Sequence, residues 1–187
     1  MTRIVAGTLG GRRLAVPVGD RTRPTSDRVR EALFSTLDSL LDLSGARVAD
    51  LYAGSGAVGL EALSRGASHA LLVEADPRVA RILRENIRML GAASTAAVVT
   101  GKVAQVLGAG HREAPYDVVF ADPPYAVPDE EITAMLAALV GGGWLAADAV
   151  VVVERSTRSG PVEWVAGLTA DRSRRYGETT LWYGRRS

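Results

Sequence analysis

The chain has 187 residues, of which 47% are apolar and 23% charged, with two histidines and no cysteine. That supports one packed domain and excludes a disordered chain, disulfides, thiolate metal sites, cysteine nucleophiles and, with the histidines far apart, a zinc centre. The net charge of +1 conceals a division, since residues 1–31 and 155–187 each carry +4 and the stretch between them −7.

Lys102 is the one lysine among 22 cations. Arginine forks match phosphate oxygens, so basic termini suit a polyanionic partner. A solvated arginine-rich surface would look the same, and charge alone leaves both readings open. No stretch reaches the ~18 apolar residues of a membrane span, and the start MTRIVAGTLGGRR lacks a secretory core. A cytoplasmic protein with no membrane contact is expected.

In chain order, residues 3–7 and 12–17 flank Gly10-Gly11 and read as a β-hairpin. A polar, arginine-rich loop leads to Pro24. A helix follows over about 26–41, with Thr25 or Ser26 as cap and Val29, Leu33, Leu37, Leu40 and Leu41 as its apolar stripe. Strand and helix then alternate. Strands are predicted at 48–52, 69–74, 96–100, 116–122 and 149–154, and helices at 57–66, 77–90, 102–109 and 129–140. The strands are near-continuous apolar runs, as parallel strands covered on both faces should be. After Glu154 no long helix remains, and 168–175 with 179–184 around Gly177 read as an antiparallel hairpin closing the sheet. The expected class is α/β: a doubly wound, Rossmann-like sheet, mostly parallel with an antiparallel last strand, and a small N-terminal β-hairpin and helix extension. The expected division is a hairpin lobe over 1–24 and a main domain over 25–187.

Asp50-Leu51-Tyr52-Ala53-Gly54-Ser55-Gly56-Ala57-Val58-Gly59 ends the first parallel strand and opens a helix. Glycines are needed where backbone approaches a ligand closely. Glu74 ends the next strand, at the same carboxyl edge, where it can accept both ribose hydroxyls of an adenosine. Gly54-x-Gly56-x-x-Gly59 also satisfies the dinucleotide fingerprint, so NAD is a rival to S-adenosylmethionine. Asp50, four residues before the first glycine, favours the sulfonium cofactor, because an acid there holds the loop and a cationic methionine end. Ala75 and Asp76 would lie beside the adenosine, although an Asp-Pro pair is also an ordinary helix start.

Asp122-Pro123-Pro124-Tyr125 follows the strand YDVVFA. Two prolines cannot extend a central strand, so the chain must break at the sheet edge beside the glycine loop. An exocyclic amine on a purine is a poor nucleophile because its lone pair is delocalised into the ring. The Asp122 carboxylate and the Pro123 carbonyl can draw on its N–H groups and favour a tetrahedral nitrogen aimed at a sulfonium methyl. Tyr125 offers a face on which a flipped base can stack. The final proton acceptor is left open between Asp122 and water.

The order DLYAGSGAVGLEALSRGA, LLVEAD and VFADPPY resembles the class I methyltransferases. With RIVAG…GRRL and RPTSDRVREALF (23–34), the chain is more closely similar to the RsmD family of ribosomal RNA guanine-N2 methyltransferases, over roughly residues 3–154 and again at 176–183. The resemblance implies a class I methyltransferase domain using S-adenosylmethionine, with no metal, to methylate N2 of one guanine in 16S ribosomal RNA. It implies that Asp50, Ala53, Gly54, Ser55, Gly56 and Glu74 bind the cofactor, that Asp122, Pro123, Pro124 and Tyr125 hold the guanine, and that Arg23 and Thr25 lie near both. Gly101-Lys102-Val103 stands where many relatives carry a polar side chain, so adenine would be read by backbone near Val103.

The lobe's Arg3, Arg12, Arg13, Arg21, Arg23, Arg28 and Arg30 are the expected RNA surface, with Arg172, Arg174 and Arg175 able to join it. Arg81, Arg84 and Arg88 on the 77–90 helix read instead as a solvated face paired through Glu85. The expected partner is ribosomal RNA within a partly assembled small subunit, met by a monomer. A DNA adenine-N6 methyltransferase, a protein glutamine methyltransferase and a non-catalytic RNA-binding module are the competing readings.

Overall fold

A computed structural model describes residues 2–19 and 26–187. The expectations for Arg21, Arg23 and Thr25 lie outside the described residues. In chain order the elements are β1 (Thr2–Arg3), β2 (Arg13–Leu14), α1 (Asp27–Leu40), β3 (Arg47–Asp50), α2 (Ala57–Ser64), β4 (His69–Glu74), α3 (Pro77–Met89), β5 (Ala96–Thr100), α4 (Val103–Gly108), β6 (Tyr116–Ala121), α5 (Asp129–Gly141), β7 (Leu145–Ser156), β8 (Leu168–Tyr176) and β9 (Thr179–Arg186). Seven strands form one sheet in the order β5-β4-β3-β6-β7-β9-β8. The first five in that order pair in parallel, and β9 inserts antiparallel between β7 and β8. The chain winds outward from β3 to β5 and then returns to β6, which makes β3/β6 the switch point where a ligand crevice opens.

Alternation along the strands sorts the core into two faces. Ala49, Leu51, Leu71, Val73, Val119 and Val151 meet α4 and α5 through Val103, Leu107, Ile132, Leu136 and Leu139. Val48, Val118, Val150, Val152 and Tyr183 meet α1 through Leu33, Phe34 and Leu37. Leu72 and Ala70 on that second face meet Leu60, Leu83 and Ile87 of α2 and α3. Each fully buried leucine here contributes about 1.5–3 kcal/mol relative to exposure.

The N-terminal hairpin is shorter than the sequence suggests. Its ladder is Thr2↔Leu14 and Arg3↔Arg13, extended by Ile4 N–H to the Arg12 carbonyl. Beyond that, the backbone turns to α2 for partners instead of the opposite strand. Val5 and Ala6 N–H groups donate to the Glu61 carboxylate at 2.8 and 3.0 Å, and Leu9 N–H to Ser64 Oγ at 2.9 Å. Ile4 and Leu14 enter the same core as Leu60 and Leu83.

Gly7 fits this contact because it has φ +82° and because a Cβ would stand 2.0 Å from the Ser64 carbonyl oxygen. Gly7→Ala is expected to cost about 3 kcal/mol, read as a lower urea midpoint. Gly11→Ala should cost about 1 kcal/mol, since Gly11 has φ +84° but open space around it.

Arg30 departs from the expected RNA surface. It is wholly buried on the inner stripe of α1 beside Leu33 and Phe34. Its Nε donates to Glu61 Oε1 at 3.2 Å, and its Nη2 donates to the Arg3 carbonyl and to Asp27 Oδ1. A carboxylate buried to hold the arm's N–H groups requires a buried cation beside it, and Arg30 is that cation.

Strand β7 also begins four residues before its predicted start. Tyr116 pairs with Leu145 but Val118 with Val150, so three extra residues bulge from β7, with Asp148 at φ 60°. Ala147 and Asp148 are exposed there, and no apolar run marks them in the sequence.

Candidate active site

The loop between β3 and α2 is held by both neighbouring strands, β4 and β6. Ala53 N–H donates to the Val73 carbonyl at 2.9 Å, Gly54 N–H to Glu74 Oε2 at 2.9 Å, and Leu51 N–H to the Phe120 carbonyl at 2.9 Å. Gly56 occupies the cap position of α2 at φ 89°, where a Cβ would fall 2.4 Å from Leu83 Cδ1. Glycine cannot supply a capping side chain, and Asp50 substitutes for one. Its Oδ2 accepts from Gly59 N–H at 3.1 Å, at the position a capping side chain would serve.

Asp50 is 2% exposed. Burial raises its carboxyl pKa from 3.8 to about 7, the Gly59 N–H opposes the shift, and the charge on Glu74 adds to it. A cation arriving beside the loop would restore the ionised form, so the site suits a ligand carrying positive charge near the tip of β3. Gly54, at φ 56°, has open space where a Cβ would stand, which leaves room for close approach to the backbone there.

Glu74 ends β4 and ties that strand end to the glycine loop. Besides Gly54 it accepts from Asp76 N–H at 3.1 Å through Oε1. A carboxylate has about four lone-pair positions, so two remain for a ligand's hydroxyls. Ala75 and Asp76 are exposed next to it. Asp76 Oδ1 accepts from Arg78 N–H at 2.8 Å and so caps α3, with Pro77 in the first turn. Gly101 N–H donates to the Glu74 carbonyl at 3.0 Å, which brings Gly101-Lys102-Val103 alongside. Val103 is buried at the start of α4.

The tetrapeptide lies across the switch point from this loop. Asp50 pairs with Phe120, and β6 ends at Ala121, so Asp122 is the first residue past the strand on the crevice edge. Pro123 is buried, and the Pro124 carbonyl accepts from Val127 N–H at 3.0 Å, closing a turn. That turn leaves Tyr125 59% exposed, the largest exposed aromatic face among the described residues.

Two residues that sequence reasoning missed support these loops. Arg155 follows Glu154 near the end of β7 and is 4% exposed. Its Nη2 donates to the Val127 carbonyl at 2.9 Å and to Asp129 Oδ1 at 3.0 Å, which pins the far end of the tetrapeptide turn. Nearby Tyr52 has its hydroxyl pKa raised by burial and by Glu131, against the opposing charge of Arg155. Asn86, wholly buried on α3, donates through Nδ2 to the Ser55 and Ala15 carbonyls at 2.9 Å each and accepts from Ala15 N–H at 2.8 Å. It ties the glycine loop to the N-terminal arm. Position beyond a strand end was the available signal for Arg155. Nothing distinguishes Asn86 in the sequence except a polar residue on the apolar stripe of α3.

The candidate phosphate contacts are not gathered at one place. Arg28 is exposed at the start of α1, and Arg3 Nε pairs with Asp27 at 3.3 Å beside it. Arg13 is exposed on β2. Arg12 Nη2 donates to the Met89 carbonyl at 2.6 Å, at the end of α3 remote from the crevice, about 20 Å along the helix. On α3, Arg88 pairs with Glu85 and Arg84 Nη2 donates to Thr100 Oγ1. Among the described residues no cluster of three or more His, Asp or Glu could hold a metal ion, and no helix is long and apolar enough to cross a membrane.

Comparison with known proteins places the chain among relatives. The family described as Conserved hypothetical protein 95 matches residues 2–185. The Escherichia coli K12 protein named Ribosomal RNA small subunit methyltransferase D is 40% identical over 180 residues, which cover 91% of this chain and 87% of that one. The solved structure of Escherichia coli YhhF superposes with a TM-score of 0.86 at 34% identity, covering 99% and 97% of the two chains. The RNA methyltransferase of Salinibacter ruber, solved with S-adenosyl-L-homocysteine, shares the fold with a TM-score of 0.63 at 17% identity, over 87% and 93%.

Proposed function

Since the chain belongs to the Conserved hypothetical protein 95 family, the RsmD family of small-subunit ribosomal RNA methyltransferases, we propose that it uses S-adenosylmethionine to methylate the exocyclic N2 amino group of a guanine in 16S ribosomal RNA. The observation that carries this reading is the meeting of two edges: the Asp122 turn and the Asp50–Glu74 loop flank one switch point in adjacent strands. The partner is ribosomal RNA within a partly assembled small subunit, met by a monomer in the cytoplasm.

Within that reading each residue has a task. Glu74 holds the ribose hydroxyls, Ala75 lies beside the adenosine, and backbone at Val103 meets the adenine. Asp50, Ala53, Gly54, Ser55 and Gly56 surround the methionine end. The bound cofactor supplies an electrophilic methyl on a sulfonium. Asp122 and the Pro123 carbonyl accept from the guanine amino group and direct its lone pair, while Pro124 and Tyr125 shape the face on which the base stacks, at ~1–3 kcal/mol per base. Arg3, Arg12, Arg13 and Arg28 meet phosphates, which set register and not sequence.

The test is transfer of a tritiated methyl group onto small-subunit RNA from cells lacking the protein, followed by nucleoside analysis. N2-methylguanosine is the expected product. Label on adenine or on protein would overturn the assignment.

Asp50 adds a pH signature. A cationic ligand favours its carboxylate, so binding below about pH 7 releases a proton and affinity rises with pH until it levels above that value. In the ligand-free protein the raised pKa acts the other way. Its contribution to stability is full below 3.8 and is lost as pH rises through about 7. Calorimetry across this range checks the first effect and thermal melts the second. Asp50→Asn should flatten both curves.

A further inference from the structure

The sheet register links the catalytic turn to the outer strand. Ala121 pairs with Val153, so Asp122 stands beside Glu154. Glu154 pairs with Leu181, and Leu181 with Arg174. Arg174 therefore shares a crosswise row with Asp122, three strands away, roughly 14 Å at the usual strand spacing. Arg172, Arg174 and Arg175 run along β8 toward this edge, and the Tyr176-Gly177 turn reaches it, because Tyr176 and Ser156 both pair with Thr179.

The start of α1 meets the same turn. Ser26, Arg28, Val29, Arg175, Tyr176 and Gly177 line one depression of about 270 Å³. Arg28, Arg174 and Arg175 are exposed, and among the described residues Arg174 and Arg175 donate to neighbouring carbonyls, of Ser173 and Gly177. Arg172 pairs with Asp171, farther along the strand. On the other side of the catalytic turn, Asp129, Glu130 and Glu131 open α5. Apart from Glu178, exposed in the turn itself, the edge thus carries positive charge toward α1 and β8 and negative charge toward α5. A charged edge strand also discourages sheet-to-sheet pairing. That role needs no second element, whereas Arg28 comes from a different part of the chain to the same depression.

We infer that Arg28, Arg174 and Arg175 form an RNA-docking face that binds the phosphates of nucleotides flanking the target base, and that the acidic start of α5 keeps the strand on that side. The inference rests on the RNA methyltransferase reading and adds a direction of approach: RNA crosses from the tetrapeptide over β9 toward β8.

The experiment measures methyl transfer to small-subunit particles and to naked small-subunit RNA, both from cells lacking the protein, with Arg174→Gln/Arg175→Gln and Arg28→Gln compared against Arg81→Gln on α3. The double variant should raise KM for RNA at least tenfold, keep kcat, and lower the salt slope of binding by about two. Arg28→Gln should lower that slope by about one. Arg81→Gln should change neither, and all variants should bind S-adenosylmethionine and melt as the unaltered protein does. If the unaltered protein methylates RNA and the β8 and α1 variants match it, or if Arg81→Gln is equally impaired, the docking face is wrong. If the unaltered protein methylates no RNA, the underlying reading falls and takes the face with it.

Discussion

Replacing Asp122 by alanine is expected to lower kcat on ribosomal RNA by on the order of 10²–10³-fold, while S-adenosylmethionine still binds. The reasoning follows from where Asp122 stands. It is the first residue beyond β6, directly after Ala121, whose partner Val153 is buried in the sheet. Its backbone is therefore fixed by the strand at the carboxyl edge of the sheet, where its side chain is half-buried. In the proposed reaction a carboxylate held there would accept from the guanine amino group without reorganising, which is where electrostatic catalysis gains most. Alanine removes one of two acceptors and leaves the Pro123 carbonyl. Asparagine keeps an oxygen but loses the charge, so Asp122→Asn should fall between alanine and the unaltered protein. Single-turnover methyl transfer at saturating cofactor measures the chemical step separately from product release. A rate within a few-fold of the unaltered protein for Asp122→Ala would remove the carboxylate from the mechanism.

The largest stability effect is expected at Glu61. Its two oxygens accept from Val5 N–H, Ala6 N–H, Arg30 Nε and Arg65 Nε, and neither its side chain nor that of Arg30 is exposed. Glu61→Ala takes the Nε acceptor from the buried Arg30, which keeps Asp27 and the Arg3 carbonyl, and leaves the half-buried Val5 and Ala6 N–H groups without an acceptor, a loss of about 3–5 kcal/mol. Arg30→Ala removes the wholly buried one of the carboxylate's two cations, leaving Arg65 and the two N–H donors, and should cost somewhat less. At the ~2–4 °C per kcal/mol of a chain this size, the melting temperature should drop by roughly 6–20 °C. Arg65 lies partly exposed over the Phe34 ring, with Cζ 4.9 Å from its centroid, so Arg65→Ala should cost much less. A double-mutant cycle on Glu61 and Arg30 should return a coupling close to the single losses, because either change alone already breaks the network.

The alternating βα pattern was legible because parallel strands covered on both faces must be apolar throughout, as in Ala70 to Val73 and Val150 to Val153. The glycine loop and tetrapeptide were legible for a related reason: Gly56 and the Pro123-Pro124 pair impose local geometry that other residues cannot. What the sequence hid were contacts between distant segments. Arg30 looks like one more cation in a basic stretch, and only the fold brings Glu61 beside it. Asp50 reads as an acid that holds the loop and a cationic ligand; the particular loop partner, Gly59 N–H, could not be read, because it follows from Gly56 leaving α2 without a capping side chain. The N-terminal hairpin was overextended because residues 5–9 satisfy their backbone on α2, which no local pattern reveals. The β7 bulge escaped because Ala146-Ala147-Asp148 carries no strand signature.

The insertion of β6 beside β3 has a consequence during synthesis. Val48 pairs with Val118, and Arg47 N–H reaches Asp117 Oδ2 across 70 residues of chain. Until that segment emerges, β3 presents one unpaired apolar border. At translation speeds of ~5–20 residues per second this lasts roughly 4–14 s. During that interval the nascent chain carries an aggregation-prone strand edge, and a product cut short before Tyr116 would keep that border open for good.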